Sequence, residues 1–327
     1  MTTVLVTGAT GLTGSNVCRL LTERGDHVRA LVRPTSDVDP LAALGVELAT
    51  GDVTDAPSVA VATKGCDGVI HCAAVLGGAS QDLGEFESVN ATGTSNVLDA
   101  TLAAGARRVV AVSTGTFFDT TTGAAPEDAP IASEPSSDPY TVTKLAAFRA
   151  AMDRAAAGQD VVTCHPGAIY GPAPVASRAL ARTSFNRVLL GAMRGRLDRY
   201  LHFPVSWVFA DDVARGCIAA LDHGVSGERY MLDGRPEDVM SIAAACNIAC
   251  EMAGISHRVQ DVLPSDDPKL AEQFGPTLMS IATKPRGDPA TRTAVSKTAT
   301  RLGYTATSLD DGLRALIDWL RAIGRLD

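Results

Sequence analysis

Short runs of apolar and β-branched residues recur through the first half of the chain: Val4 to Thr7, His27 to Val32, Val46 to Ala49, Gly68 to Cys72, Arg108 to Ser113 and Asp160 to His165. Segments with apolar positions at helical spacing separate them. Near-continuous apolar strands alternating with helices suit a parallel sheet covered on both faces, because each crossover lays a helix on one face. The pattern predicts an α/β fold built on a doubly wound parallel sheet, the Rossmann arrangement.

The rhythm changes after Gly167. Ala168 to Arg199 is rich in Pro, Arg and Ala, and leads to an apolar strand and helix over Val205 to Leu221. A short strand (Arg229 to Leu232), a helix (Glu237 to Ala253), a polar stretch (Pro264 to Pro289) and an amphipathic helix (Leu309 to Ile323) follow. The expected division is a Rossmann domain over residues 1–167, with 203–226 returning to it. Residues 168–202 and 227–327 mainly form a smaller, partly discontinuous C-terminal lobe over the carboxyl edge of the sheet, where open α/β sheets bind ligands.

With 327 residues, 46% of them apolar and 20% charged, the chain can bury a large core. A net charge of −8 and the lack of a basic stripe exclude a nucleic acid or an anionic membrane as partner. Seven cysteines, at 18, 66, 72, 164, 217, 246 and 250, are odd in number and scattered, which predicts buried free thiols in a reducing compartment. Cys246 and Cys250 share a helix face, but no His or second Cys pair completes a metal site, so no metal is expected. The chain opens directly into Thr3-Val4-Leu5-Val6, and no apolar run reaches the roughly 20 residues that span a bilayer. A soluble, cytoplasmic protein is the expectation.

The first chemistry lies in Thr7-Gly8-Ala9-Thr10-Gly11-Leu12-Thr13-Gly14, between the first strand and the helix Ser15 to Arg24. Glycines here allow a tight turn and a close backbone approach to a pyrophosphate, which the free N–H groups and positive end of the helix attract. Gly8, Thr10, Gly11, Leu12, Thr13 and Gly14 are therefore candidate dinucleotide contacts. The second strand ends Ala30-Leu31-Val32-Arg33-Pro34-Thr35-Ser36, with no carboxylate before Asp37 to hold a ribose 2′-hydroxyl. Arg33, helped by Ser36, can instead fork onto a 2′-phosphate, so NADP(H) is preferred and NAD is the lesser candidate.

Asp138-Pro139-Tyr140-Thr141-Val142-Thr143-Lys144 sets Tyr140 and Lys144 on one face of a helix start. A phenol serves acid–base chemistry near neutrality when a cation favours its anion, and Lys144 is placed for that. The strand ending Val112-Ser113-Thr114-Gly115-Thr116 brings hydroxyls to where a substrate oxygen would sit. Thr114 is taken as the donor, with Ser113 and Thr116 as nearby alternatives.

Together these segments resemble the extended short-chain dehydrogenase/reductase family, within the NAD-dependent epimerase/dehydratase superfamily. The resemblance also takes in Gly51-Asp52-Val53-Thr54-Asp55, Ile70-His71-Cys72-Ala73-Ala74 and Asn90 to Val97. It continues through His165-Pro166-Gly167-Ala168-Ile169-Tyr170-Gly171-Pro172, Val208 to Ala214 and the tail Leu302-Gly303-Tyr304 with Leu309 to Leu313. It implies Tyr140 as acid/base, Lys144 as its activator and Thr114 in the Ser/Thr position. Asp52 and Val53 would flank the adenine, Ala73 and Ala74 the phosphate-ribose side, and Pro166, Gly167, Ala168 and Ile169 the nicotinamide. It also implies a homodimer, structural roles for Tyr170 and the Asp211-Asp212 pair, and Asn90 and Asn96 ordering their helix.

Two chemistries share this family. Sugar-nucleotide epimerases and dehydratases usually keep an acidic residue after the second strand, where this chain has Val32-Arg33. They also carry an Arg before the paired aspartates, where this chain reads Phe203-Pro204-Val205-Ser206-Trp207. Dehydratases place a carboxylate beside the Ser/Thr position, whereas Thr114 is followed by Gly115-Thr116-Phe117-Phe118. The chain is more similar to dihydroflavonol reductase and related bacterial ketone or aldehyde reductases, acting on a small hydrophobic carbonyl or alcohol. Phe117, Phe118, Val75, Leu76, Tyr170 and Trp207 are its expected pocket. Arg182, Arg187, Arg194, Arg196 and Arg199 keep a sugar-nucleotide epimerase or dehydratase with tightly bound NAD as the alternative.

Overall fold

A computed structural model describes residues 2–78, 82–119, 127–133, 136–273, 279 and 296–327. Seven parallel strands form the large sheet: β1 (Thr3–Thr7), β2 (His27–Val32), β3 (Glu47–Thr50), β4 (Gly68–His71), β5 (Arg108–Val112), β6 (Val161–Pro166) and, at its far edge, the strand Arg229–Leu232. Their spatial order from that edge is Arg229–Leu232, then β6, β5, β4, β1, β2 and β3. The chain order therefore reverses between β1 and β4, and a crevice opens there at the carboxyl ends. Val4, Val6, Ile70, Val110 and Val162 are fully buried between the sheet and its helices, as the continuous apolar runs require.

Helices start and stop where the local chemistry says they should. Helix α1 (Leu12–Arg24) closes on Gly25 at φ +89°, where a side chain would be strained. The long helix Pro139–Ala156 is capped by Asp138, whose carboxylate accepts from the Thr141 amide at 2.7 Å, and Pro139 occupies its first turn. The closing helix Leu309–Ala322 is capped by Ser308 and buries Leu309, Leu313, Leu316, Ile317 and Leu320 along one stripe.

The lobe is built partly around a second, three-stranded sheet: Val239–Ser241 antiparallel to Pro204–Phe209, which runs parallel to Ala168–Tyr170. Two details depart from the expected division. Residues Arg229–Leu232, assigned to the lobe, pair with Thr163–Pro166 and extend the large sheet. The helix expected from Glu237 begins only at Ile242, because Pro236–Asp238 makes a single 3-10 turn and Val239–Ser241 is drawn into the small sheet. Of the segment 203–226, the helix Ala210–His223 returns to pack against α1 and the large sheet, while Pro204–Phe209 stays with the small one. Much of the stretch Pro264 to Pro289 lies outside the described residues.

Asp212 fastens the two parts. Its carboxylate, 1% exposed, accepts from the Thr307 amide at 2.7 Å and hydroxyl at 3.0 Å and from Arg215. Asp212→Ala takes the acceptor from the part-buried Thr307 amide and hydroxyl and is expected to cost about 2 kcal/mol in denaturant unfolding. A loss within experimental error would deny the tie.

Candidate active site

The glycine loop lies directly on the end of β4. Gly8 has φ +64°, and a Cβ there would stand 2.6 Å from the Ala73 nitrogen and 2.7 Å from the Cys72 carbonyl carbon. At Gly14 a Cβ would collide with the Gly8 carbonyl, and the Gly11 amide donates to that same oxygen at 2.9 Å. The loop is thus folded on itself without side chains between its layers. The first amides of α1, around Leu12, Thr13 and Gly14, lack intrahelical acceptors and present an anion site at the β1/β4 reversal. Beneath it Thr7 donates to His71 Nδ1 at 2.7 Å, and His71 Nε2–H donates to Thr94 Oγ1 at 3.0 Å. The Thr94 hydroxyl is committed to the Asn90 carbonyl at 2.6 Å, which fixes this tautomer. Burial pulls the His71 imidazole down to about 3, so it is neutral.

At the end of β2, Arg33 is exposed and makes no side-chain hydrogen bond or ion pair among the described residues. Ser36 folds back beside it, its amide on the Arg33 carbonyl at 3.0 Å. The first carboxylate after this strand, Asp37, is engaged elsewhere, accepting from Ser177 Oγ at 2.7 Å. After β3, Asp52 accepts from the Thr54 amide and hydroxyl, both at 2.9 Å, and the buried Val53 takes Asn96 Nδ2 on its carbonyl at 2.8 Å. Ala73 and Ala74 are half-buried at the end of β4. A π-helical turn, Glu87–Thr92, projects Asn90 between elements. Asn90 binds both the amide and carbonyl of Val75, at 2.8 and 3.1 Å, and Thr143 Oγ1 at 3.2 Å.

Tyr140 and Thr114 are joined by a side-chain hydrogen bond beyond the end of β5, and Lys144, one turn on from Tyr140 in its helix, reaches the last residue of that strand. Tyr140 is half-buried and Thr114 and Lys144 are buried. Burial pushes the Tyr140 phenol up to about 12, hydrogen bonding with Thr114 opposes the rise, and the Asp138 carboxylate adds to it. Lys144 Nζ donates to the Val112 carbonyl at 2.7 Å. The phenol therefore holds its proton firmly. The Thr116 amide donates to Thr114 Oγ1 at 3.3 Å, and Thr141 Oγ1 donates to Thr116 Oγ1 at 3.1 Å, so Thr116 and Thr141 support the Thr114 hydroxyl. Pro166 closes β6, and Gly167, where a Cβ would collide with the Ser206 carbonyl, turns the chain so that Ala168 and Ile169 enter the small sheet.

Burial also pulls the Lys144 ammonium down to about 8 from an ordinary 10.5. The unfolded chain then holds this proton more tightly than the folded one, so the penalty is full below pH 8 and fades as pH rises toward 10.5. Lys144→Met is expected to unfold about 1–2 kcal/mol harder at pH 7, after loss of the Val112 contact, with the gain shrinking above pH 8. Equal stability at pH 7 would show that the buried ammonium carries no such penalty.

Four of the expected pocket residues belong to the core instead. Phe117 and Phe118 are 3% and 2% exposed and pack with Phe148, while Tyr170 and Trp207 are 0% and 1% exposed. Tyr170 donates to the Leu309 carbonyl and Trp207 Nε1 to the Met240 carbonyl, both at 3.3 Å. Large aromatic rings gain most from complete burial when their polar tips find partners. Val75 is half-buried and Leu76 exposed beyond the end of β4. Two of the arginines held in reserve for a diphosphate are already engaged: Arg194 donates to the Arg325 carbonyl and Arg199 pairs with Asp267, both at 2.5 Å. Among the described residues no His, Cys, Asp and Glu side chains cluster as a metal site, and no helix is long and apolar enough to cross a membrane.

Residues 4–232 match the model of the NAD dependent epimerase/dehydratase family. The chain is 36% identical over 234 residues to sterol demethylase protein B of Methylococcus capsulatus, covering 71% of this chain and 70% of that one. It is 30% identical to a putative dihydroflavonol 4-reductase of Synechocystis, covering 69% and 66%. It is 29% identical to the 4-hydroxy-2-methyl-3-oxo-4-farnesyl-3,4-dihydroquinoline-1-oxide ketoreductase of Stigmatella aurantiaca, over 94% and 89%. The solved structure of gox2253 superposes with a TM-score of 0.80 at 28% identity, covering 100% of both chains.

Proposed function

Because the chain belongs to the NAD dependent epimerase/dehydratase family, a family of oxidoreductases and epimerases that use NAD(P), we propose that it reduces a ketone or aldehyde of a small hydrophobic substrate with NADPH. The convergence of the Tyr140 phenol, the Thr114 hydroxyl and the buried Lys144 ammonium at the end of β5 carries this reading. When bound, the dinucleotide supplies a hydride to the carbonyl carbon. Thr114 orients the substrate oxygen and Tyr140 gives it a proton, leaving a phenolate that the Lys144 charge stabilises.

The β1–α1 loop would hold the pyrophosphate, through the free first amides of α1 around Leu12, Thr13 and Gly14. Asp52 and Val53 flank the adenine, Ala73 and Ala74 the ribose-phosphate side, and Pro166 to Ile169 the nicotinamide. Arg33 and Ser36 take the 2′-phosphate. The freedom of Arg33 and the engagement of Asp37 by Ser177 support NADPH over NADH. A ketoreductase with a farnesyl-bearing substrate among the relatives supports an apolar carbonyl compound. Exposed Leu102 and Val142, on the packed helices Gly93–Ala104 and Pro139–Ala156, support a homodimer.

The test is NADPH oxidation against aromatic ketones, 3-oxo esters, aldehydes and nucleotide sugars. Consumption with apolar carbonyl compounds is expected. Turnover confined to nucleotide sugars, or NAD retained through purification, overturns the reading.

A further inference from the structure

His165 lies at the end of β6, 0% exposed, and plays no part in the chemistry above. Its Nδ1 is 2.8 Å from the Thr114 carbonyl oxygen and its Nε2 is 2.9 Å from Thr163 Oγ1. A carbonyl only accepts, so the proton is on Nδ1 and the Thr163 hydroxyl donates to Nε2. The order of donors is therefore Thr163 to His165 to Thr114, with no ambiguity of tautomer.

The backbone explains why such a contact is needed. The ladder between β5 and β6 carries on through the Ser113 amide, which donates to the Cys164 carbonyl at 2.7 Å. One residue later the chain turns away, and the Thr114 carbonyl is caught by the imidazole ring instead of by a strand. Three phenylalanines fix the ring's plane: Phe118 at 5.0 Å and 57°, Phe148 at 5.4 Å and 74°, and Phe117 at 6.0 Å and 82°. Phe117 and Phe118 come from the turn that follows Thr114, so the ring is clamped between β6 and the very loop it holds.

We propose that His165 is a positioning residue, a neutral imidazole that sets the place and direction of the Thr114 hydroxyl by holding its backbone carbonyl. The inference rests on Thr114 being the substrate-oxygen donor of the reductase reading. Burial, with the Arg229 and Lys144 charges adding to it, pulls the imidazole down to about 3, while the Thr114 carbonyl draws it back only in part. The ring thus stays a single-proton donor throughout the working pH range and adds no charge beside the phenol.

Two measurements separate this inference from the reductase reading. On the resting protein, long-range nitrogen–proton NMR should give His165 as the neutral Nδ1–H tautomer at pH 6. An Nε2–H tautomer or an imidazolium overturns the proposal whatever the protein catalyses. In turnover, His165→Asn keeps an N–H at the position of Nδ1 and His165→Leu removes it, while both lose the ring. The Leu variant should lose about 10–30-fold in kcat, with the NADPH Kd within about twofold, and the Asn variant should recover to within about threefold of the parent. Equal kcat in Asn and Leu variants of equal Tm overturns the donor role. If the Leu variant does not fold, Thr163→Val, which takes the donor from Nε2 and loosens the ring's orientation, should lower kcat by about 3–10-fold without moving the NADPH Kd. An unchanged kcat there overturns it. Tyr140→Phe in parallel reports on the reductase reading alone.

Discussion

Tyr140→Phe is expected to lower kcat for carbonyl reduction by about 10²–10⁴-fold, the range of a well-placed general acid, while NADPH binds within about threefold of the parent. The variant keeps the ring and loses only the O–H that a half-buried phenol offers beside Thr114. The proton that the resting phenol carries is the one reduction uses. A phenol pushed up to about 12 keeps its proton at neutral pH and is ready to donate, which serves reduction. The reverse reaction needs the phenolate, so its rate should climb with pH toward the phenol's value in the loaded enzyme, which the charge of an oxidised nicotinamide would lower. Stopped-flow traces on the two proteins separate hydride transfer from binding. A Phe variant that turns over at a near-parental rate removes Tyr140 from the chemistry.

Arg33→Asp is expected to reverse the cofactor preference. A forked, charge-assisted contact to a 2′-phosphate contributes about 1.5–3 kcal/mol, and a carboxylate in its place adds repulsion, so kcat/KM with NADPH should fall about 10²-fold or more. NADH carries only a hydroxyl there, which the new carboxylate can accept from, and its kcat/KM should hold or rise. The geometry favours a clean result, because Arg33 is exposed and unpaired among the described residues and its removal breaks no ion pair there. Equal losses with both dinucleotides would place the 2′-phosphate elsewhere.

The large sheet was legible because its strands are buried on both faces, so each shows as a continuous apolar run whatever its neighbours. Gly8 and Gly14 were legible for a related reason: a backbone that must lie against Ala73 or fold on itself admits no Cβ, and the sequence records this as glycine. Short elements left no such trace. Val239–Ser241 is too brief to show a period, and only the capping hydroxyl of Ser241, which accepts from the Ala244 amide at 3.2 Å, marks the true helix start. The pocket aromatics misled because an apolar ring beside a catalytic strand looks the same in sequence whether it faces the crevice or the core. Phe118 faces inward, against His165 and beneath Arg229, whose guanidinium lies 4.3 Å from its ring centre. His165 and His71 gave no signal, since a single His in an apolar strand acquires meaning only from partners as far away in sequence as Thr114 and Thr7.

The small sheet draws its strands from three places in the chain, Ala168–Tyr170, Pro204–Phe209 and Val239–Ser241, and between the last two the chain goes back to lay a helix and an edge strand on the large sheet. No single cut separates the lobe. A fragment ending after β6 loses the edge strand Arg229–Leu232 and the helix Ala210–His223, exposing the β6 edge and the buried flank of α1. A fragment beginning there carries that strand and helix with nothing to cover them. Grafting this lobe onto another dinucleotide-binding scaffold therefore means transplanting a woven segment with its share of the large sheet, and new specificity is more readily sought in the crevice loops than in exchange of whole units.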